Sequence, residues 1–183
     1  ADGMSLSQIT AYRMVQGSLN ERISMDKFPY SGIVLTHSYN AAVTDSASSA
    51  TAYSTGFKTN NGALGLDQDL NELENLTETI DKFGFVSSLI STSEVTHATP
   101  AAFAAHIDLR WKTDIISSQM IDSRVATILG GGRYFFTPEE QGGKREDGRN
   151  LLDEIKESHI MLTEKNQLSE ISSSLDKQVL GLF

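Results

Sequence analysis

Val43-Thr44-Asp45-Ser46-Ala47-Ser48-Ser49-Ala50-Thr51-Ala52-Tyr53-Ser54-Thr55-Gly56 is the stretch from which the fold can be read. Its approach is apolar, Ile33-Val34-Leu35 and then Ala41-Ala42-Val43, and reads as strand material leading into a turn. From Ser46 nearly every residue is Ala, Ser or Thr until Gly56. That predicts a short helix with Asp45 or Ser46 as N-cap and Gly56 as its stop. Small side chains let such a helix lie close to a sheet and keep its first turn open. The unpaired N–H groups and the positive end of the helix dipole favour an anion there, above all a phosphate. A serine hydroxyl at this place is where a nucleophile would meet phosphorus. Taken alone, Asp45-Ser46 reads as a plain helix cap.

Composition narrows the field. The formal net charge is −9 and the sequence pI is near 4.8. Such a surface repels nucleic acid, and no basic run or basic-aromatic stripe argues otherwise. An anionic substrate must therefore be held by local devices: a helix N-terminus, an arginine or metal ions. Hydrophobic residues make up 39% and charged residues 21%, the balance of a soluble α/β protein. With no cysteine, thiol catalysis and thiolate zinc sites are excluded. No run approaches the ~18 apolar residues of a membrane span.

The run from Asp45 to Thr51, continued by Ser54-Thr55-Gly56-Phe57-Lys58-Thr59-Asn60-Asn61-Gly62-Ala63-Leu64-Gly65, resembles the active-site signature of alkaline phosphatases. His97-Ala98-Thr99-Pro100-Ala101, followed by His106 and Arg110, resembles the same family. So does Asp2-Gly3-Met4, with Ala1 where the family has glycine. The resemblance extends from Asp2 to Phe183. It implies an α/β fold, an alkaline-phosphatase-like sandwich whose mostly parallel sheet is flanked by helices, here incomplete. It also implies hydrolysis of small phosphate monoesters through a phosphoserine on Ser46, with two zinc ions and one magnesium.

In that scheme Asp2 bridges a zinc and the magnesium, Ser46 gives its oxygen to zinc, and Thr99 gives an oxygen to magnesium. The chemistry suits the assignments. A carboxylate offers two hard oxygens, whereas an imidazole is a poor ligand for a hard cation, so His97 is expected beside the magnesium and its waters. Arg110 is implied to grip the substrate phosphate, because a planar fork of donors matches two phosphate oxygens, and Asp45 would steady it. Ser46 and Arg110 are thus the expected catalytic residues, and Arg110 and Asp45 the expected substrate-binding ones.

The resemblance further implies a homodimer and a periplasmic or secreted location. One departure matters: the family draws most zinc-binding aspartates and histidines, and a magnesium-binding glutamate, from a later half of its sequence. After His106 only His159 remains. The expectation is one α/β domain over residues 1–183, a fragment of a longer alkaline phosphatase, inactive by itself. The alternatives are a related phosphodiesterase or sulfatase-type metallohydrolase, or a non-catalytic fragment. A metal-free serine hydrolase would need Gly-x-Ser-x-Gly, which Asp45-Ser46-Ala47 does not supply.

Along the rest of the chain, helices are expected at Ser5–Gln16, Leu76–Phe83 (capped by Asn75, ended by Gly84), Trp111–Ser123, Leu151–Ser158 and Asn166–Ser174. Strands are expected at Gly32–Tyr39, Phe85–Ser91, Val125–Leu129, Ile160–Leu162 and Gln178–Phe183. Alternating helix and strand is the rhythm of a parallel sheet. Pro100 marks Thr99 as a helix N-cap. Thr99 and Arg110 are eleven residues apart, about 16 Å along one straight helix. That helix is therefore expected to break near His106 to Asp108, so that Arg110 points back. His106 is expected to be packed, His37 lies outside the site, and Pro138 to Asn150 is a loop.

Overall fold

Among the described residues four strands form one wholly parallel sheet: β1 (Ser88–Glu94), β2 (Thr127–Gly131), β3 (His159–Leu162) and β4 (Gln178–Leu182), in the order β1-β2-β4-β3. Leu129 sits opposite both Ile90 and Gly181, which fixes the register across the centre. Parallel neighbours need crossovers, and helices supply them. In this computed structural model, residues 2–16, 20–171 and 177–183 are described. They fall into two units, residues 1–36 and 37–183.

The second unit carries the sheet and five helices: α2 (Ser46–Thr55), α3 (Leu76–Asp81), α4 (Ala98–Ala101), α5 (Thr113–Asp122) and α6 (Leu151–Ile155). α2 packs against α4. Both present alanine to the core, Ala47 and Ala50 from α2 and Ala98 and Ala101 from α4, with Ala102 and Ala105 following α4 into the same cluster. Small residues on both surfaces let the two backbones approach. The same core cluster continues to larger side chains, where Ile116 and Met120 of α5 join Val125, Ile128, Leu180 and Leu182. Burying one such side chain stabilises the fold by about 1.5–3 kcal/mol.

The first unit holds α1 (Leu6–Val15) and a 3-10 turn at Ser24–Lys27. Ser5 caps α1 in a capping box with Gln8, and an Arg13–Asp26 ion pair ties the helix to the turn. Asp2 is exposed in the turn before α1.

Four expectations are corrected. The strand at Gly32–Tyr39 does not form, and Ile33, at 97% exposure, Val34 and Leu35 join no ladder. β-branched residues favour extended backbone, but a strand also needs a neighbour for its N–H and C=O groups. α4 is capped by His97 rather than Thr99 and ends at Ala101, well before His106. Proline is tolerated anywhere in a first turn, where its missing N–H had no helical partner, so Pro100 does not mark the boundary. β1 begins at Ser88, leaving Phe85 and Val86 exposed ahead of it. The C-terminal helix expected at Asn166–Ser174 is a 3-10 segment at Lys165–Glu170, and its last part falls outside the described residues. Among the described residues no helix is long and apolar enough to cross a membrane.

Candidate active site

The start of α2 is built around the two oxygens of Asp45. Oδ1 accepts from the Ser48 amide at 2.9 Å and from the Ser48 hydroxyl at 3.0 Å, which caps the helix. Oδ2 faces the other way and accepts from the Gly62 amide at 3.1 Å and from Nη1 of Arg110 at 3.2 Å. One carboxylate thus joins the helix, the loop after it and an arginine 65 residues along the chain. Burial alone would raise the carboxyl pKa. The amides of Ser48 and Gly62, the Ser48 hydroxyl and the guanidinium outweigh it and hold Asp45 below the usual carboxylate range. Ser46 is half-buried and opens α2 directly after this cap.

Arg110 reaches this place because the chain reverses after α4. Residues 62–65 and 107–110 run antiparallel: Leu64 and Ile107 exchange backbone hydrogen bonds at 2.8 and 2.9 Å, and the Arg110 amide donates to the Gly62 carbonyl at 2.8 Å. The side chain is only 10% exposed. Its Nη2 lies 3.1 Å from Nε2 of His97. Guanidinium nitrogens only donate, so that imidazole nitrogen is the acceptor. Asp45 and His97 therefore hold one terminal nitrogen each, and the fork is fixed by protein contacts alone.

The second unit brings Asp45, Ser46, His97 and Arg110 to one end of α2. Thr99, on α4, is half-buried beside that helix pair, and Asp2 belongs to the first unit. His106 is packed: its ring bonds Gly65 and Glu78. His159, the first residue of β3, is engaged with Ser158 and Gln178.

Residues 1–183 match the alkaline phosphatase family throughout. The chain belongs to that family. Its relatives include alkaline phosphatase 4 of Bacillus subtilis, 34% identical over 197 residues, covering the whole chain and 40% of the relative. The repressible alkaline phosphatase of Saccharomyces cerevisiae is 33% identical over 172 residues, covering 85% of the chain and 30% of the relative. Alkaline phosphatase from the Antarctic bacterium TAB5 superposes with a TM-score of 0.86 at 31% identity, covering all of this chain and 51% of that one. A TAB5 variant with histidine replaced by glutamate has magnesium bound in its M3 site. The chain spans less than half the length of these curated relatives and about half that of the TAB5 enzyme. The parallel sheet with flanking helices is thus the alkaline-phosphatase fold over that share.

Family membership raises the question of metals. Among the described residues no three His, Cys, Asp or Glu side chains come together as a metal site. Catalytic zinc takes about three protein ligands, with nitrogen and sulfur favoured. The second unit's candidate donors are two hydroxyls, Ser46 and Thr99, and an imidazole, His97, whose Nε2 lone pair is directed at Arg110. That set does not make a zinc site.

Asn61 lies within the signature run, but no role of its own could be assigned to it from the sequence. Its Oδ1 accepts from the Asp45 amide at 3.1 Å and lies 2.9 Å from the Ser48 hydroxyl, whose single proton it shares with Asp45 Oδ1, while Nδ2 donates to the Val43 carbonyl at 3.0 Å. The side chain clips the entry to α2 onto the loop that follows it. An asparagine beside a glycine signals a turn in any loop, so only the folded contacts reveal this second task.

Proposed function

We propose that this chain is the nucleophile-bearing and phosphate-gripping part of a phosphomonoesterase that works through a phosphoserine on Ser46. The observation that carries the reading is the bond from Arg110 to Oδ2 of Asp45, the residue that caps α2 and precedes Ser46. It sets a guanidinium fork beside the first turn of a ten-residue helix, where the positive end of the helix dipole favours an anion. A phosphate held by Arg110 there would present phosphorus to the Ser46 hydroxyl. Attack forms the Ser46 Oγ–P bond and expels the alcohol, and water then releases phosphate from the phosphoserine. The substrate class is small phosphate monoesters.

The resemblance that names Ser46 also brings two zinc ions and one magnesium, with Asp2, Ser46, Thr99 and His97 near them. Such cations would supply the positive charge for activating the hydroxyl and the leaving oxygen. The donors brought together by this chain are too few, so the proposal includes ligands from elsewhere, and no metal-dependent turnover by residues 1–183 alone. A homodimer and a periplasmic or secreted setting belong to the same reading.

The test has two arms. In an enzyme with its full set of metal ligands, Ser46→Ala removes the acid-stable phosphoenzyme and lowers turnover on the order of a hundredfold or more. Label trapped on any other residue overturns the assignment. Residues 1–183 assayed with zinc and magnesium on a chromogenic phosphate monoester should show no turnover above background. Robust hydrolysis abolished by a chelator would mean that the chain completes the site by itself.

A further inference from the structure

Both ring nitrogens of His106 face acceptors. Nδ1 lies 2.9 Å from the carbonyl oxygen of Gly65, and Nε2 lies 2.9 Å from Oε1 of Glu78. A carbonyl and an ionised carboxylate can only accept, while a neutral imidazole carries a single N–H. A neutral ring would set one nitrogen lone pair against an oxygen lone pair. The imidazolium satisfies both contacts.

The surroundings favour that cation. His106 lines a cavity of about 260 Å³ together with Glu72 from the loop before α3, Glu78 of α3, and Asp122 and Arg124 at the end of α5. Three carboxylates and one guanidinium leave an excess of negative charge around the ring. The neutral neighbour on α5, Gln119, bonds the His106 backbone at both its amide and its carbonyl. Burial works against a charged imidazole, but the bonds to Gly65 and Glu78 outweigh it and hold the ring above its usual range.

What the ring fastens is the pair of segments that delivers Arg110. Residues 107–110 are laced to 62–65 by the Leu64–Ile107 exchange and the Arg110–Gly62 bond, and the His106–Gly65 contact closes the far end. The fit at that end is close. Gly65 has φ +61°, and a Cβ there would come within 2.5 Å of Nδ1. The other Glu78 oxygen accepts from the Asn75 amide and completes the first turn of α3.

We propose that His106 is a doubly protonated strut, a positioning residue that braces the Arg110 segment against residues 62–65 and loosens when the ring loses a proton. The proposal rests on the reading of Arg110 as the phosphate ligand, but its test needs no substrate.

Trp111 is the single tryptophan, and the Arg110 guanidinium lies 5.0 Å from its ring centroid. Its fluorescence therefore reports on the segment. In residues 1–183 titrated upward from neutral pH, the His106 ring nitrogens, followed by NMR, should lose the doubly protonated pattern above the ordinary histidine value of about 6.5. Trp111 fluorescence should change with the same midpoint. Glu78→Gln should lower that midpoint by about one pH unit or more, because it removes the partner charge. His106→Gln should abolish the Trp111 transition. A ring already neutral at pH 7, or a midpoint that Glu78→Gln leaves in place, overturns the strut. A ring that titrates high without any response from Trp111 overturns the positioning role. The ring titrations of wild type and Glu78→Gln decide the first point even where His106→Gln fails to fold. Titration with inorganic phosphate, comparing wild type with Arg110→Ala, reads the phosphate assignment separately, so either idea can fail without the other.

Discussion

Replacing Asp45 by asparagine should be as damaging as few conservative changes are. At an N-cap the two residues are nearly interchangeable, since each offers an oxygen to the first-turn amides. Here both oxygens are in use, one by Ser48 and the other by Gly62 and Arg110. Asparagine has one acceptor and would aim an NH2 group at one of the two sets of donors. If it keeps the cap, a backbone bond and a charged bond are lost, about 0.5–1.5 and 1.5–3 kcal/mol respectively. The Asp45 side chain is 28% exposed, so water takes over part of both. The net loss should be about 2 kcal/mol. Urea unfolding of wild type and Asp45→Asn at neutral pH, followed by Trp111 fluorescence, measures it as a shift in midpoint at constant slope. The sign with pH follows from the depressed carboxyl pKa. Asp45's contribution is present above the unfolded-state value of about 3.9 and is lost as pH falls through the lower folded value, so the two proteins converge in acid. An Asp45→Asn protein within about 0.5 kcal/mol of wild type at pH 7 would falsify the two-sided role and leave Asp45 a simple cap.

Three further outcomes are expected. Gly56→Ala should cost about 1 kcal/mol in the same assay, because Gly56 ends α2 at φ +81° with open space around it, so that backbone conformation alone is at stake. Arg145→Met should cost about 2–3 kcal/mol by thermal or urea unfolding: the arginine is 1% exposed and bonds Asp147, the Asp114 carbonyl and the Ser117 hydroxyl, although Asp147, more than a third exposed, can rehydrate. His106 contributes stability that is fully present below its unfolded value of about 6.5 and is lost as pH rises through its higher folded value, so the gap between wild type and His106→Gln should narrow on going alkaline.

What could be read from the sequence was local. The small-residue run, the Asp45 cap and the Gly56 stop are signals carried within a dozen neighbours, and α2 occupies the span they indicate. Asn75 and Gly84 bracket α3 for the same reason, although the helix proper ends at Asp81. The break between Thr99 and Arg110 followed from helix geometry, though it comes earlier than expected. Long-range partners were a different matter. The Asp45–Arg110 pairing spans 65 positions and entered only through a family resemblance. Arg145 lay in a charged, glycine-rich stretch that read as a loop, yet its guanidinium is buried against the start of α5. Nothing local distinguishes an arginine that finds buried acceptors from one that finds water. The apolar run at 33–35 misled in the opposite direction, since β-propensity describes fitness for a sheet surface and carries no information about which strand lies alongside.

The charges at the end of α2 bear directly on how a phosphate could be held there. Arg110 contributes one positive charge and Asp45, 3.2 Å away, takes one back. The helix terminus adds about half a unit of positive charge, screened by water. A phosphate monoester, doubly charged above its second pKa of about 6, would then meet a site close to neutral on a chain of net charge −9. Geometry at such a site can be good while affinity stays weak, because the arginine proposed to grip the anion is already half-satisfied by a carboxylate. Removing Asp45 would free the charge but would release the arginine from the helix and uncap α2 in the same step. The arrangement trades binding strength for orientation, and the balance is restored only by positive charge from outside these residues. On the reading of Arg110 as the phosphate ligand, that charge balance is a physical reason to expect bound cations beside the site.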